Sequence, residues 1–150
     1  MLFRSVGICG TAMASAAAAM QERGFRVTGS DANVYPPMST FLAERKVEVI
    51  SGYDEKNLAA KPDLVVIGNA MSRGNAEIEA VLDRKLRYCS LPELLKEFFI
   101  RGKRSLVVSG THGKTTTTSL LTWVFECAGL NPSYLIRSEE HTSELQSPMY

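Results

Sequence analysis

Cysteine is scarce in this sequence, and no two cysteines lie close together. Cys9, Cys89 and Cys127 are far apart and form no Cys-x-x-Cys motif. A disulfide framework needs an even set of cysteines, and a structural zinc site needs closely spaced pairs. The sequence therefore argues against a small disulfide-stabilised secreted domain and favours a reducing cytosol. Cys9 is expected to be a small apolar filler rather than a reactive thiol.

Net charge and long apolar runs are also lacking. The formal net charge is +1 at pH 7, so no charge surplus points to nucleic acid or an anionic membrane as a partner. The apolar stretch 12–20 is mostly alanine and is shorter than the ~20 residues that a transmembrane helix needs. The opening MLFRSVGICG is interrupted by glycine too early for a signal peptide. We expect a cytoplasmic protein whose oligomeric state the sequence leaves open.

The sequence does contain a regular alternation of short apolar runs and longer amphipathic stretches. Strands are predicted at 2–8, 25–28, 47–50, 63–67, 88–89 and 105–108, and helices at 11–23, 39–46, 75–86, from 91 onward and at 114–128. Ser90 and Glu93 match a capping box at the start of the fourth helix. Strands that alternate with helices predict an α/β fold with a parallel, Rossmann-like sheet. We expect a first domain at 1–100 and the start of a second domain at 101–136.

The last residues have a different character. Residues 137–150, RSEEHTSELQSPMY, are polar and show no periodicity. The part from Arg137 to Ser147 matches an in-frame translation of a sequencing-library adapter. We therefore expect this segment to be non-native, and we exclude His141 from the candidate ligands.

A phosphate-binding loop is predicted at Ser109–Ser119, SGTHGKTTTTS, between a predicted strand and a predicted helix. Glycines let backbone N–H groups turn toward phosphate oxygens, and the helix N-terminus adds its dipole. Lys114 is the expected catalytic residue, because its charge would lie on the β- and γ-phosphates, and the Thr115 hydroxyl would bind Mg²⁺. The loop departs from the general consensus, since Val108 stands where the first glycine is expected. ATP and Mg²⁺ are the expected cofactors.

A weaker glycine loop, GICGTAM at Gly7–Met13, follows the first strand. It is not a Gly-x-Gly-x-x-Gly motif, but the strand, the glycine turn and the alanine-rich helix together are typical of half a nucleotide-binding fold. Asp31, after the second strand, is expected either to hydrogen-bond a ribose hydroxyl or to form a turn.

The two loops together resemble those of the Mur ligase family. The segments that carry the resemblance are GICGTAMA (7–14), GSD (29–31), VYPPMS (34–39), VVIGNAMSRGN (65–75) and SGTHGKTTTTSLL (109–121). It covers residues 1–136. YPPMS and GNAMSRGN favour a family member that acts on recycled murein peptide over the sibling that adds L-alanine.

The resemblance implies an ATP-dependent carbon–nitrogen ligase of peptidoglycan recycling. The γ-phosphate of ATP would pass to the carboxylate of UDP-N-acetylmuramate and give an acyl phosphate. The amine of the murein tripeptide L-alanyl-γ-D-glutamyl-meso-diaminopimelate would then attack it. The family's acidic magnesium ligands, its modified lysine and its C-terminal domain have no counterpart in residues 1–136. We therefore expect that this chain alone does not ligate.

The resemblance also implies two sets of contact residues. On the ATP side they are Gly110, Thr111, His112, Gly113, Lys114, Thr115 and Thr116, with Thr115 on Mg²⁺. On the UDP side they are Gly7, Gly10, Thr11, Ala12, Met13 and Asp31. Residues 69–75 would line the mouth of the substrate cleft, and Asn69, Ser72, Arg73 and Asn75 are either contacts or turn and capping residues there.

Four other functions are considered. A P-loop kinase or GTPase would need a downstream acidic strand for magnesium, and a nicotinamide-dependent oxidoreductase would need the Gly-x-Gly-x-x-Gly pattern. The sequence supplies neither. The L-alanine-adding sibling remains an alternative, and so does a UDP-sugar-binding module without catalysis.

Overall fold

The computed structural model describes residues 1–136 of the chain. The chain divides into two compact units, Met1–Arg101 and a second that begins at Gly102. The predicted adapter segment, with His141, lies outside the described residues.

The first unit is a five-stranded parallel sheet in the order β3-β2-β1-β4-β5. Its strands are β1 (Leu2–Val6), β2 (Arg26–Asp31), β3 (Glu48–Ser51), β4 (Leu64–Ile67) and β5 (Tyr88–Ser90). Its helices are α1 (Thr11–Glu22), α2 (Met38–Glu44), α3 (Ala76–Asp83) and α4 (Leu91–Leu95), with a 3-10 turn at Glu55–Leu58 and a π-helical turn at Lys96–Ile100. The predicted α/β fold with a Rossmann-like parallel sheet is confirmed.

Helices cover both faces of the sheet, and β1 lies at its centre. Successive side chains of a strand point to opposite faces, so Phe3 and Val6 belong to different core clusters. The cluster on the Phe3 face includes Ile8, Met13, Ala14, Ala16, Ala17, Met20, Val27, Leu42, Val66 and Leu94. The cluster on the Val6 face comprises Leu58, Val65, Ala80 and Val81. The alanines of α1 that belong to the Phe3 cluster are small side chains, so the helix can pack close to the sheet.

Gly29 allows the chain that leaves β1 to pack directly on β2. A Cβ atom at Gly29 would lie 2.3 Å from Ile8 Cδ1 and 2.7 Å from Ile8 Cβ. Ile8 is fully buried. No side chain other than hydrogen fits there, so Gly29 is required by close packing inside a strand.

Several predicted boundaries differ from the structure. β1 ends at Val6 because Gly7 has φ +81 and begins a turn, whereas β2 continues to Asp31. The second helix ends at Glu44, and the third at Asp83. Lys46 and Lys85 follow these ends with φ of 58° and 51°, a left-handed conformation that stops a helix.

The end of the first unit is held by an aromatic group and a capping box. Ser90 and Glu93 form the predicted capping box, since Glu93 accepts from the Ser90 backbone N–H at 2.7 Å. Hydrogen bonds from the Ser90 backbone and hydroxyl lower the pKa of the Glu93 carboxyl. Phe98 makes edge-to-face contacts with Phe3 and Phe25, at centroid distances of 5.3 Å and 5.9 Å. The π-helical turn is thereby anchored to the core.

The second unit contains one helix, α5 (Lys114–Cys127), among its described residues. The strand predicted at 105–108 is not formed, so this prediction is wrong. A strand needs the backbone groups of a neighbour, and the described residues supply no neighbour for this segment. Leu106 and Val107 are 64% and 84% exposed.

We predict that Gly29→Ala destabilises the first unit by about 1–3 kcal/mol, because the new methyl group collides with the Cβ of Ile8. Urea unfolding followed by far-ultraviolet circular dichroism measures the change. Gly10→Ala is the control, since Gly10 has φ −62° and its added methyl would have no neighbour nearer than 3.6 Å. That variant should lose only about 0.5 kcal/mol. Equal midpoints for Gly29→Ala and the wild type would contradict the packing argument.

Candidate functional site

The strand order places a crevice at the carboxyl end of β1. The connection through α1 leads from β1 to β2 on one side, whereas β4 lies on the other side of β1. In open α/β sheets, ligands bind where neighbouring connections diverge in this way. The loops that follow β1, β2 and β4 are therefore the candidate binding site of the first unit.

The loop between β1 and α1 presents backbone groups rather than side chains. Gly7 and Ile8 donate their N–H groups to the Ser30 carbonyl, at 2.8 Å and 3.1 Å. Gly10 is the N-cap of α1, no side chain caps the helix, and its first turn carries no acidic residue. A helix N-terminus of this kind attracts anions through its free N–H groups and its dipole. The predicted contact residues Thr11, Ala12 and Met13 form that first turn.

Asp31 holds the glycine loop in place from the end of β2. Its Oδ2 accepts from the Cys9 backbone N–H at 2.9 Å, and its Oδ1 accepts from the Asn33 N–H at 3.0 Å. Both oxygens therefore have backbone partners, in keeping with the turn role considered from the sequence. Contact with a ribose hydroxyl stays a prediction.

The segment after β4 lies against the same loop. A Cβ atom at Gly7 would lie 3.0 Å from Met71 Cε, so Met71 covers this glycine. Asn75 caps α3, because its Oδ1 accepts from the N–H groups of Glu77 and Ile78 at 3.1 Å and 3.2 Å. Ser72 and Arg73 are exposed. Of the candidates in this segment, Asn75 has a capping role, and substrate contact by the others stays a prediction.

Three polar residues near this edge of the sheet, namely Tyr53, Arg4 and Glu77, were not identified from the sequence. Tyr53 follows β3, and the pKa of its hydroxyl is raised. Burial is the largest cause of this rise, a hydrogen bond with the Ala32 backbone acts in the opposite direction, and the charge of Asp31 raises the pKa further. Arg4 and Glu77 form an ion pair of 2.8 Å with side chains 2% and 0% exposed. The sequence feature that could have indicated this buried pair is Arg4, a charged residue inside the apolar run LFRSV.

The predicted phosphate loop of the second unit enters α5 through a left-handed glycine. Gly113 has φ +75, a left-handed conformation, and is the N-cap of α5. No side chain caps α5, and its first turn holds no acidic residue. The Lys114 ammonium donates to the Gly110 and Thr111 carbonyls, at 2.8 Å and 3.3 Å. Its positive charge therefore lies over the loop, where phosphate oxygens would be attracted.

The hydroxyl groups of α5 fall into two sets. Thr118, Ser119 and Thr122 donate to the carbonyls four residues earlier, at 2.8, 2.9 and 2.8 Å. These hydroxyls are used within the helix. The exposed residues Thr115, Thr116 and Thr117 precede them near the start of the helix. An uncapped helix start favours an anion, and contact with phosphate and magnesium binding by Thr115 stay predictions.

The described part of the chain holds no group of three or more His, Cys, Asp or Glu side chains that could bind a metal ion. Within residues 1–136, no helix has both the length and the apolar character needed to cross a membrane.

Comparison with known proteins agrees with this architecture. The model of the Mur ligase family, catalytic domain, matches residues 2–103. The chain is 53% identical over 131 residues to the UDP-N-acetylmuramate–L-alanyl-γ-D-glutamyl-meso-2,6-diaminoheptandioate ligase of Haemophilus influenzae, covering 87% of this chain and 29% of that enzyme. It is 38% identical over 138 residues to the UDP-N-acetylmuramate–L-alanine ligase of a Psychrobacter species, covering 92% and 28%.

A solved structure is also similar. The UDP-N-acetylmuramate:L-alanyl-γ-D-glutamyl-meso-diaminopimelate ligase from Neisseria meningitides superposes with a TM-score of 0.85 at 46% identity. The match covers 90% of this chain and 42% of that one.

A parallel sheet with helices on both faces and a glycine loop at its crevice defines an α/β protein with a Rossmann-like first unit. The family match extends over more than half of the sequence, and the chain belongs to the Mur ligase family. It spans less than a third of the length of the Haemophilus influenzae relative.

The cysteine environments lead to a prediction about reactivity. Burial raises the pKa of the Cys9 thiol, and the Asp31 carboxylate raises it further. Burial, together with the Glu93 charge, raises the pKa of Cys89 to about 11. Since the thiolate is the reactive form, labelling of Cys89 by iodoacetamide should accelerate about tenfold per pH unit from about pH 7 to 10.

Peptide mass spectrometry measures this labelling. The exposed Cys127 is the internal reference and should be modified before Cys9 and Cys89 at about pH 7. Labelling of Cys9 at the same rate as Cys127 would show that Cys9 is a reactive thiol after all.

Proposed function

We propose that this chain carries the UDP-substrate-binding unit and the phosphate loop of an ATP-dependent ligase of peptidoglycan recycling. The complete reaction would join UDP-N-acetylmuramate to the tripeptide L-alanyl-γ-D-glutamyl-meso-diaminopimelate. The observation that carries the proposal is the glycine loop at the sheet crevice, which leads into the uncapped start of α1. The chain that holds this loop is 53% identical to the Haemophilus influenzae ligase described above. The 38% identity to an L-alanine ligase supports addition of L-alanine as the alternative reaction.

In the first unit, the diphosphate of the UDP substrate would lie at the start of α1. Gly7 and Gly10 bring the backbone close to it, and the N–H groups of Thr11, Ala12 and Met13 would donate to its oxygens. Asp31 keeps the loop in this shape through the Cys9 N–H.

In the second unit, the γ-phosphate of ATP would lie over the start of α5. When bound, ATP and Mg²⁺ would supply the phosphoryl group that activates the muramyl carboxylate. Gly110, Thr111, His112 and Gly113 form the backbone cradle, Lys114 supplies a positive charge, and Thr115 supplies a hydroxyl for the metal, with Thr116 next to it. Such catalysis is mainly positioning and charge neutralisation.

A substitution at Gly10 tests the first unit. Gly10 has φ −62° and ψ 134°, which is the conformation of an N-cap asparagine or aspartate. Gly10→Asn and Gly10→Asp should both keep or slightly raise stability, by up to about 1 kcal/mol, because each side chain caps α1. Gly10→Asp should also weaken UDP-N-acetylmuramate binding by about tenfold or more, since its carboxylate repels the diphosphate.

Isothermal titration of the whole chain with UDP-N-acetylmuramate measures the affinity. Gly10→Asn is the matched control and separates the charge effect from the steric effect. NADH should not bind. Equal affinities for Gly10→Asp and Gly10→Asn would mean that the diphosphate does not lie at this helix start.

A ligation assay tests the reaction and the behaviour of the chain by itself. We propose that the chain forms no amide from ATP, Mg²⁺ and UDP-N-acetylmuramate with either the tripeptide or L-alanine. The described residues would provide one hydroxyl for magnesium, and they hold no group of three or more His, Cys, Asp or Glu side chains that could bind the ion. Mass spectrometry of the products decides the outcome. Amide formed with either amine would overturn the proposed inactivity, and amide formed with L-alanine alone would in addition favour the sibling activity.

A further inference from the structure

The strongest unexplained feature of the first unit is a buried ion pair. Arg4 of β1 points to the sheet face that α3 covers, and its Nε donates to Glu77 Oε1 at 2.8 Å. The two side chains are 2% and 0% exposed. Arg4 Nη2 is also buried and has no hydrogen-bond partner among the described residues. A buried pair of this kind is weak evidence for a stabilising role, because an apolar pair of similar volume often serves stability equally well.

One chain of hydrogen bonds leads from Glu77 to the glycine loop through the 3-10 turn and the residues at the ends of β3 and β2. Glu77 Oε2 accepts from Asn57 Nδ2 at 2.8 Å, and the same Nδ2 donates to the Gly52 carbonyl at 3.2 Å. The Gly52 N–H donates to the Asp31 carbonyl at 2.8 Å. The Asp31 carboxylate then accepts from the Cys9 N–H in the loop.

A second route leads from Glu77 to the same loop through the start of α3. The Glu77 N–H donates to Asn75 Oδ1 at 3.1 Å. Asn75 Nδ2 lies 3.7 Å from Met71 Sδ. Met71 in turn covers Gly7, whose added Cβ would lie 3.0 Å from Met71 Cε. Glu77 therefore lies at the meeting point of the two segments that enclose the glycine loop.

We propose that Arg4 and Glu77 are positioning residues for the diphosphate-binding loop. The pair fixes the first turn of α3 and the Gly52 turn relative to β1, and so sets the shape of the loop from Gly7 to Gly10. The affinity for the UDP substrate depends on this shape. The inference rests on the proposed binding of that substrate.

The test separates loop position from stability with a double variant of the whole chain. Arg4→Met with Glu77→Met replaces the ion pair by apolar side chains, so the urea midpoint should stay near that of the wild type. The dissociation constant for UDP-N-acetylmuramate should nevertheless rise about tenfold. Amide exchange followed by mass spectrometry should become faster at residues 7–10 without ligand, while exchange in β1 stays unchanged.

A matched control is available on the same helix. Arg84 and Glu55 form an exposed ion pair of 3.2 Å between the end of α3 and the 3-10 turn. Arg84→Gln with Glu55→Gln removes an ion pair at the other end of α3 but leaves Glu77 and its partners in place. Its affinity and its amide exchange should match the wild type.

A second variant keeps the proposal testable if the first does not fold. Asn57→Leu leaves the Arg4–Glu77 pair intact and breaks only the route through Gly52. It should raise the dissociation constant about threefold and accelerate exchange at Cys9. Wild-type affinity and exchange in every folded variant would overturn the proposal. If the wild type itself does not bind UDP-N-acetylmuramate, the proposed function fails, whereas the exchange measurement still decides whether the pair positions the loop.

Discussion

The first unit depends on one constraint, which is that β1 pairs with β2 along one side and with β4 along the other. Because all these strands are parallel, their carboxyl ends lie at one edge of the sheet. The loops that follow them come from residues near 10, 31 and 70, yet they contact one another there. Every feature of the candidate site follows from this arrangement of backbone hydrogen bonds.

Close approach of backbone and side chains gives the site its shape. At Gly29 a side chain would collide with Ile8, and at Gly68 it would lie 3.1 Å from the Val6 carbonyl. Glycine at these points lets the turn after β1 pack on its neighbours, so that backbone N–H groups and the start of α1 remain available to a ligand. Polar side chains such as Asp31 form hydrogen bonds with backbone N–H groups of the loops, and in this way they hold the backbone around the crevice.

The two units present the same kind of helix start in different surroundings. Both α1 and α5 begin after a glycine, without a side-chain cap and without an acidic residue in the first turn. The middle of α1 is buried in a core, from Met13 to Met20. By contrast, Leu120, Trp123 and Val124 of α5 are between 58% and 67% exposed. Local sequence is enough to form the helix start, whereas packing of the helix requires partners distant in sequence.

The sequence indicated correctly those features that arise from residues close together in the chain. Alternating apolar runs predicted the parallel α/β fold, Ser90 and Glu93 predicted a capping box, and the two glycine loops predicted where helices begin. Hydrophobic periodicity, capping and glycine turns are local properties, so short segments reveal them. The helix ends at Glu44 and Asp83 escaped prediction because lysine seldom takes up the left-handed φ that Lys46 and Lys85 show after them.

Only the tertiary structure decided what depends on contacts between distant segments. It showed that Gly29 lies inside a strand under Ile8, that both Asp31 oxygens accept backbone hydrogen bonds, and that the 105–108 segment forms no strand among the described residues. It also brought Arg4 and Glu77 together across 73 positions of the sequence. The sequence by itself determined most of the local elements and the two glycine loops, and the register of the sheet decided which side chains meet around the first of these loops.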